Sequence, residues 1–409
     1  MRAVCPTHLL SLLLGCLLLL GLPLSPGAAH AQADPIASAL ALANASLQVQ
    51  ARGRTLIARQ ADQPMIPAST MKLVTALAAI DRWGLDHRFA TRFYRAADGR
   101  LWVRGGGDPY LVSEELTAIA SALRQAGLRT VTGIGLDDSL FPPVDGISGR
   151  SAGGNPYNAP VTALAANFNT VNLAVAGGAV RSAEAQTPLT ATARRIGQGL
   201  AQGNHRVHLQ HRDNALRHFG ELLGDKLQAA SIAVGSGEVQ IGRIPAGAEL
   251  IYTHRNSRTL EPILGDMLKY STNFVANSLF LMFGEHNGQS SLAAAQRWTE
   301  DWARRRFGWQ NFRIEDGAGL SRGNRLSARQ LIELLEAFAP YRGLLAEQAG
   351  DPAVRAKTGT LTGVSTYAGY VRRGNDWVPF ALLINQAVDG GLRQRVASAL
   401  AHSPSLGRY

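Results

Sequence analysis

Apolar residues recur at two spacings along this chain, and the changes between them mark out its elements. Ala and Leu fall at helical spacing from Asp34 to Asn44. Apolar and polar residues then alternate over Ser46 to Ala51 and Thr55 to Gln60, around Arg52-Gly53-Arg54, which predicts a β-hairpin. Pro64 and Pro67 break the pattern. A helix is predicted from Ser69 to Trp83, through Leu73, Ala76, Leu77 and Ile80, stopping before Gly84. From about Phe89 the texture changes. Short strands (Phe89 to Tyr94, Leu101 to Arg104, Thr130 to Leu136) alternate with a helix over Ser113 to Ala126, for which Ser113 is the expected N-cap. Strand-like sequence follows from Asn167 to Val175, then a helix near Ala215 to Leu227 and a hairpin-like stretch to Tyr252. Helical character returns over Leu260 to Phe283, Leu292 to Phe307 and Ser327 to Ala339. Two strands, Ser365 to Arg372 and Trp377 to Asn385, and a helix from Leu392 to His402 complete the chain.

The two ends therefore read as one α+β unit, residues 32–88 with 255–409, and residues 89–254 as an inserted accessory region. The first 31 residues stand apart from it. Arg2, an apolar run from Leu9 to Leu22, and Ala29-His30-Ala31 before Gln32 have the layout of a secretory signal peptide. The apolar run continues past Cys16, which argues against a lipid-attachment site there. Cys5 and Cys16 are the chain's two cysteines, so the mature protein is expected to carry no thiol, disulfide or cysteine-bound metal. No later stretch is long and apolar enough to predict a transmembrane helix. An exported, periplasmic protein is the expectation.

Composition narrows the class. With 46% hydrophobic and 17% charged residues, the 409-residue chain is too apolar for disorder and long enough for a substantial core. The net charge of +11 comes almost wholly from arginine, since the lysines are Lys72, Lys226, Lys269 and Lys357. No basic run is interleaved with aromatic residues, which argues against nucleic acid; an anionic polymer outside the cell suits the charge equally.

The scarcity of lysine gives three short motifs their weight. In Ser69-Thr70-Met71-Lys72 the serine and lysine are three apart, so on a helix they face the same side. A serine hydroxyl is a poor nucleophile until a base takes its proton, and a lysine serves only if burial or a neighbouring cation lowers its pKa. Helix-terminal amides there would also favour an oxyanion. Such a Ser-x-x-Lys arises by chance about 0.2 times in a chain of this composition, and Ser271-Thr272-Asn273, near a helix start, reads equally well as a cap. Lys357-Thr358-Gly359, before a strand, is rarer, at about 0.03 by chance. Together, in this order, they form a signature.

With Gly105-Gly106-Gly107-Asp108-Pro109, Tyr157-Asn158-Ala159-Pro160, Asp316-Gly317-Ala318-Gly319-Leu320-Ser321-Arg322 and the run Lys357 to Tyr370, they make the mature chain resemble the low-molecular-mass class C penicillin-binding proteins, the D-alanyl-D-alanine carboxypeptidase/endopeptidases. The resemblance implies an α+β fold of the penicillin-binding-protein and serine β-lactamase type, an antiparallel sheet flanked by helices. It implies Ser69 as the acylated nucleophile, Lys72 as its base, Ser271 as proton relay to the departing D-alanine and Asn273 as partner of the substrate amide. Lys357, Thr358 and Thr360 would hold the terminal carboxylate, Gly359 lies within that motif, and the amides of Ser69 and Thr360 would form the oxyanion hole. Stem peptides of peptidoglycan would be the substrate and β-lactams covalent inhibitors, with no cofactor or metal. Thr272, Ala318 and Asn277 depart from the family's usual Asp, Ser and acidic residue. The Lys72–Ser271 interval is short, which suggests a trimmed insertion.

Other features point less far. His205, His208, His211 and His218 cluster in sequence without carboxylates to frame a metal site. The three glycines at 105–107 lack the Gly-Lys-Ser/Thr of a phosphate loop and fit a turn, as does Asp108-Pro109. A serine β-lactamase or esterase on the same fold is the rival reading, although no deacylating glutamate is identifiable. A non-catalytic wall-binding protein is the other, and it would need no nucleophile.

Overall fold

The computed structural model describes residues 34–404 and 406, except 142, 144–146, 148 and 150–152. The expected signal peptide, with Cys5 and Cys16, lies outside the described residues. Residues 35–409 cluster as one unit. Along the chain, α1 (Pro35–Leu40) leads into β1 (Ala45–Ala51), β2 (Arg54–Arg59) and α2 (Met71–Trp83). Then come β3 (Ala90–Arg95), β4 (Leu101–Arg104), α3 (Ser113–Gln125), β5 (Thr130–Val131), β6 (Ile134–Asp137), β7 (Thr170–Ala176) and β8 (Ala179–Ser182). These are followed by α4 (Ala191–Gly197), β9 (Gly203–His208), α5 (Arg212–Ala229), β10 (Ala233–Val234), β11 (Val239–Ile241) and β12 (Glu249–Arg255). Helices α6 (Leu260–Tyr270), α7 (Asn273–Phe283), α8 (Leu292–Phe307) and α9 (Ala328–Phe338) precede β13 (Glu347–Gln348), β14 (Asp351–Leu361), β15 (Val364–Arg373), β16 (Asp376–Ile384) and α10 (Leu392–His402).

The main sheet runs β13-β14-β15-β16-β1-β2, antiparallel throughout, so it joins the two ends of the chain. Its side chains alternate faces. Phe380, Leu382 and Ile384 of β16 pack with Tyr367 and Val371 of β15 against Val396, Ala397 and Leu400 of α10. Ala381 and Leu383 pack with Ala368 and Tyr370 on the other side, in a core that includes Leu77, Leu279 and Leu335. Burial of both faces explains why β16 reads as a nearly continuous apolar run.

Residues 89–254 supply most of the remaining sheets. The order β11-β6-β4-β3-β12 is mixed: β4, β6 and β11 are parallel, and β3 pairs antiparallel with β4 and β12. Phe93, Leu116, Phe219 and Leu223 anchor its core. A separate antiparallel sheet, β8-β7-β9, has its own small core around Leu173, Ile196 and Leu209.

Several expectations change. The hairpin-like stretch to Tyr252 is instead β10, β11 and β12, each paired with a distant strand. Thr130 to Leu136 divides into two strands at Thr132-Gly133. Ser113 is the first helical residue after the cap position Val112, and its amide is met from afar by Asn167 Oδ1 at 2.9 Å. Asn167 to Asn169 form a left-handed turn rather than strand. Helical periodicity across Leu260 to Phe283 hides a break at Ser271-Thr272. Lys357-Thr358-Gly359 lies inside β14, whose Pro352, Gly359 and small polar residues mute the strand signal.

One clamp fixes the approach to α2. Asn385, just after β16, accepts from the Ile66 amide at 2.7 Å and donates to the Ile66 carbonyl at 3.1 Å. Replacing it removes both bonds while leaving the sheet intact. Asn385→Ala should lower unfolding free energy by about 1–2 kcal/mol, read as a lower urea midpoint with an unchanged m-value.

Candidate active site

The site begins where the chain turns into α2. Ala68 to Thr70 form a short 3-10 turn, with Ala68 held at φ 46°, and α2 continues from Met71. That turn sets Ser69, half-buried, one helical step from Lys72, and Lys72 Nζ lies 3.1 Å from Ser69 Oγ. Lys72 is fully buried. Its Nζ also lies 2.8 Å from Asn273 Oδ1 and 2.8 Å from the carbonyl oxygen of Ala318. The amide orientation of Asn273 is set by its Nδ2, which donates to the carbonyl of Tyr157 at 3.2 Å. Burial, reinforced by the positive charge of Lys357, holds the Lys72 amine well below the ordinary lysine range, while Asp316 opposes the shift.

Asn273 reaches Lys72 because α6 and α7 do not run on. Ser271 caps α6 in the left-handed region (φ 56°, ψ 38°), Thr272 is extended, and α7 starts at Asn273. Ser271 lines the same cleft as Ser69. Among the described residues its hydroxyl makes no hydrogen bond.

The third side is the Asp316–Arg322 loop. Asp316 Oδ1 accepts from the amides of Ala318, Gly319 and Leu320, at 2.8, 2.6 and 3.1 Å. Its Oδ2 accepts from the Ser321 amide at 2.7 Å and Asn324 Nδ2 at 3.0 Å. Asn277 Oδ1 accepts from the Gly317 amide at 3.0 Å, and Thr75 Oγ1 donates to the Gly317 carbonyl at 2.7 Å. The loop thus delivers a main-chain carbonyl to Lys72, and the side chain at 318 is not the acting group. Gly319, at φ 78°, packs where a Cβ would overlap the Ala68 carbonyl oxygen.

Strand β14 forms the facing wall. A Cβ on Gly359 would overlap Thr366 Oγ1 and lie 2.9 Å from the amide nitrogen of Ser69, so glycine there allows β14 to abut the turn. Thr366 Oγ1 donates to the Pro67 carbonyl at 2.8 Å. Thr358 and Thr360 line the cleft, whose volume is about 710 Å³. Lys357 is buried, donates to the Thr358 carbonyl at 2.8 Å, and is lowered to about 8 by burial and then by Arg393. Arg393, on α10, was not singled out by the sequence. Its Nη1 donates to the Gly359 carbonyl at 2.6 Å and Thr360 Oγ1 at 2.8 Å, and among the described residues it forms no ion pair.

The structure therefore gathers Ser69, Lys72, Ser271 and Asn273 with Thr358, Gly359 and Thr360 around one cleft, with Lys357 buried behind its wall. The histidines disperse instead: His205 bonds the Ala201 carbonyl, His208 the Gly153 carbonyl and His218 the Thr190 hydroxyl. Asp108 accepts from the Tyr110 amide at 2.9 Å, the turn expected there.

Comparison with known proteins places the chain in a family and a fold. The sequence model of the D-Ala-D-Ala carboxypeptidase 3 (S13) family matches residues 29–206, 199–342 and 339–403. A D-alanyl-D-alanine carboxypeptidase from Actinomadura sp. is 28% identical over 86% of this chain and 79% of its own. The D-alanyl-D-alanine carboxypeptidase DacB of Haemophilus influenzae is 26% identical over 82% of this chain and 83% of its own. Among solved structures, penicillin binding protein 4 from H. influenzae superposes with a TM-score of 0.74 at 21% identity, covering 90% of this chain and 97% of its own. A predatory endopeptidase from Bdellovibrio bacteriovorus, complexed with an immunity protein, gives a TM-score of 0.52 at 16% identity, covering 87% and 89%. These structures share the fold.

Because Asp316 satisfies five donors from a fully buried position, its loss should be felt globally. Asp316→Ala should cost about 3 kcal/mol or more, seen as a lower denaturation midpoint, with Asp316→Asn falling between it and wild type.

Proposed function

This chain belongs to the D-Ala-D-Ala carboxypeptidase 3 (S13) family, and on that basis we propose that it is a serine-type carboxypeptidase of peptidoglycan stem peptides. The observation that carries this reading is the contact between Ser69 Oγ and a fully buried, pKa-lowered Lys72 amine. A neutral amine has two N–H bonds and one lone pair. Asn273 Oδ1 and the Ala318 carbonyl can only accept, so they take the two N–H bonds and leave the lone pair for the Ser69 hydroxyl.

In the reaction, Ser69 Oγ attacks the carbonyl carbon of the penultimate D-Ala as its proton passes to Lys72. The amides of Ser69 and Thr360 receive the oxyanion, a function worth about 3 kcal/mol per donor. Ser271 relays a proton to the nitrogen of the terminal D-Ala, which leaves as the C–N bond breaks. Water then hydrolyses the acyl-serine ester. Cleavage of a cross-link is the same transfer with a larger leaving amine. A β-lactam carbonyl would acylate Ser69 in the same way. The terminal carboxylate would bind the hydroxyls of Thr358 and Thr360, beneath the charges of Lys357 and Arg393. We further assign residues 1–31 to export into the periplasm, residues 32–88 and 255–409 to the catalytic domain, and residues 89–254 to an insertion of two modules. The separate cores of its mixed and three-stranded sheets support the last point.

Two experiments test these roles. Incubation with fluorescent penicillin should add one mass equivalent to the wild type, and none to Ser69→Ala or Lys72→Met with unchanged circular dichroism. An adduct on Ser69→Ala would remove the nucleophile assignment, and unchanged labelling of Lys72→Met would remove the base. The second uses pH. Lys357 is protonated below about 8 and neutral above it, so KM for a carboxylate-terminated peptide should rise as pH passes that value. Arg393→Gln removes a cation that depresses Lys357, and should move the inflection to higher pH; an inflection that stays put would show that Arg393 does not act on Lys357.

A further inference from the structure

A second cavity, of about 580 Å³, adjoins the catalytic cleft and shares Tyr157 and Asn273 with it. It opens where the three-stranded sheet, the turn at Tyr110 and the α6–α7 junction meet, and its other lining includes Phe168, Arg206, Asp266 and Tyr270. Its floor is fixed. Tyr110 donates to Asp266 at 2.7 Å, and Arg258 bonds Asp266 at 3.0 Å while lying 4.5 Å from the Tyr110 ring centroid. Phe168 meets Tyr110 edge-on at 5.1 Å from a left-handed backbone (φ 62°) that Asn167 and Asn169 share. The side chain of Asn169 pins that turn to the Pro160 carbonyl and Thr162 hydroxyl, both at 2.8 Å. Backbone strain held this firmly keeps an aromatic ring at the cavity.

The rim is different. Among the described residues four large apolar side chains are exposed, and two of them, Tyr157 at 57% and Tyr270 at 61%, flank this cavity. Lys269 Nζ lies 5.1 Å from the Tyr270 ring centroid. Arg206 is exposed and forms no ion pair among the described residues. Aromatic rings standing in solvent beside unspent hydrogen-bonding groups suit a ligand with apolar C–H faces and a polar perimeter. That is the chemistry of a sugar ring, whose axial C–H bonds meet the negative face of an aromatic ring while its hydroxyl and amide groups reach Arg206 and Thr272.

We propose that this cavity is a saccharide subsite that binds an N-acetylhexosamine of the glycan strand carrying the stem peptide. The inference rests on the function proposed above, and the cavity's position supports it. The cavity joins the cleft at Tyr157 and Asn273, so a substrate whose acyl chain passes Asn273 can continue into it. The enzyme thereby distinguishes a peptide still attached to its glycan from a free one.

The test compares a D-Ala-D-Ala pentapeptide with the same peptide carrying its N-acetylglucosaminyl-N-acetylmuramyl disaccharide. Wild-type kcat/KM should be higher for the glycopeptide, and Tyr270→Ala should lose roughly 3- to 10-fold on that substrate alone. Tyr270→Phe, which keeps the ring, should retain the preference. Equal loss on both substrates, or no preference in the wild type, overturns the subsite. An equal gain from a peptide extension in place of the disaccharide also overturns it, because the cavity would then be a peptide site. If neither substrate is cleaved, the failure belongs to the proposed function.

Discussion

Everything at this site depends on an amine kept out of water without a carboxylate to hold its proton. The first turns of α2 are buried from Met71 to Ile80, so Lys72 has no route to solvent. An ordinary buried lysine would pair with an acid and stay charged, which would end its use as a base. Asp316 is the acid close enough to matter, and its two oxygens already accept from four amides and the Asn324 side chain. Lys72 is left with neutral acceptors, and desolvation together with Lys357 outweighs the remaining pull of Asp316.

Bringing the groups together requires contacts that backbone sterics resist. Ala68 and Ser271 both have positive φ, at 46° and 56°, a conformation that costs a non-glycine residue about 1–2 kcal/mol. Each irregularity has a geometric effect. The turn at Ala68 aims Ser69 at the cleft, and the break at Ser271 starts a new helix at the residue that contacts Lys72. Gly319 and Gly359 admit backbone on either side of the same turn. The strain is held by what surrounds it: the Asn385 clamp on Ile66, the Thr366 bond to Pro67 and the dense core beneath α2.

What could be read in advance follows from how local each signal is. Ser69 and Lys72 are three residues apart, and helix geometry alone predicts their contact. The strands β15 and β16 carry apolar patterns that survive in isolation. The break at Ser271 was hidden because apolar spacing continues through it, and a single left-handed residue leaves no periodic trace. Strand β14 was muted by Pro352 near its start and by Gly359 and the threonines, of which Gly359 abuts the Ser69 turn and Thr358 and Thr360 line the cleft. Ala318 departs from the family's usual serine only in its side chain, whereas its carbonyl is the group that contacts Lys72. Arg393 had no local mark at all in a chain where arginine supplies nearly all the positive charge.

Lys357 and Arg393 also give the cleft a polarity. Both cations lie at its β14 side, close enough for Arg393 to depress Lys357, and among the described residues neither is paired with a carboxylate. Like charges so placed raise the free energy of the empty protein, and an anion arriving at Thr358 and Thr360 relieves that repulsion. Tyr157 and Asn273 line the same cleft and contribute an aromatic ring and an amide. Under the proposed function, a peptide ending in a free carboxylate places that carboxylate at the Lys357 and Arg393 side, with its last amide bond at Ser69. A neutral C-terminus leaves the cations uncompensated, so preference for the final residue of a chain follows from the charges that the site leaves unpaired.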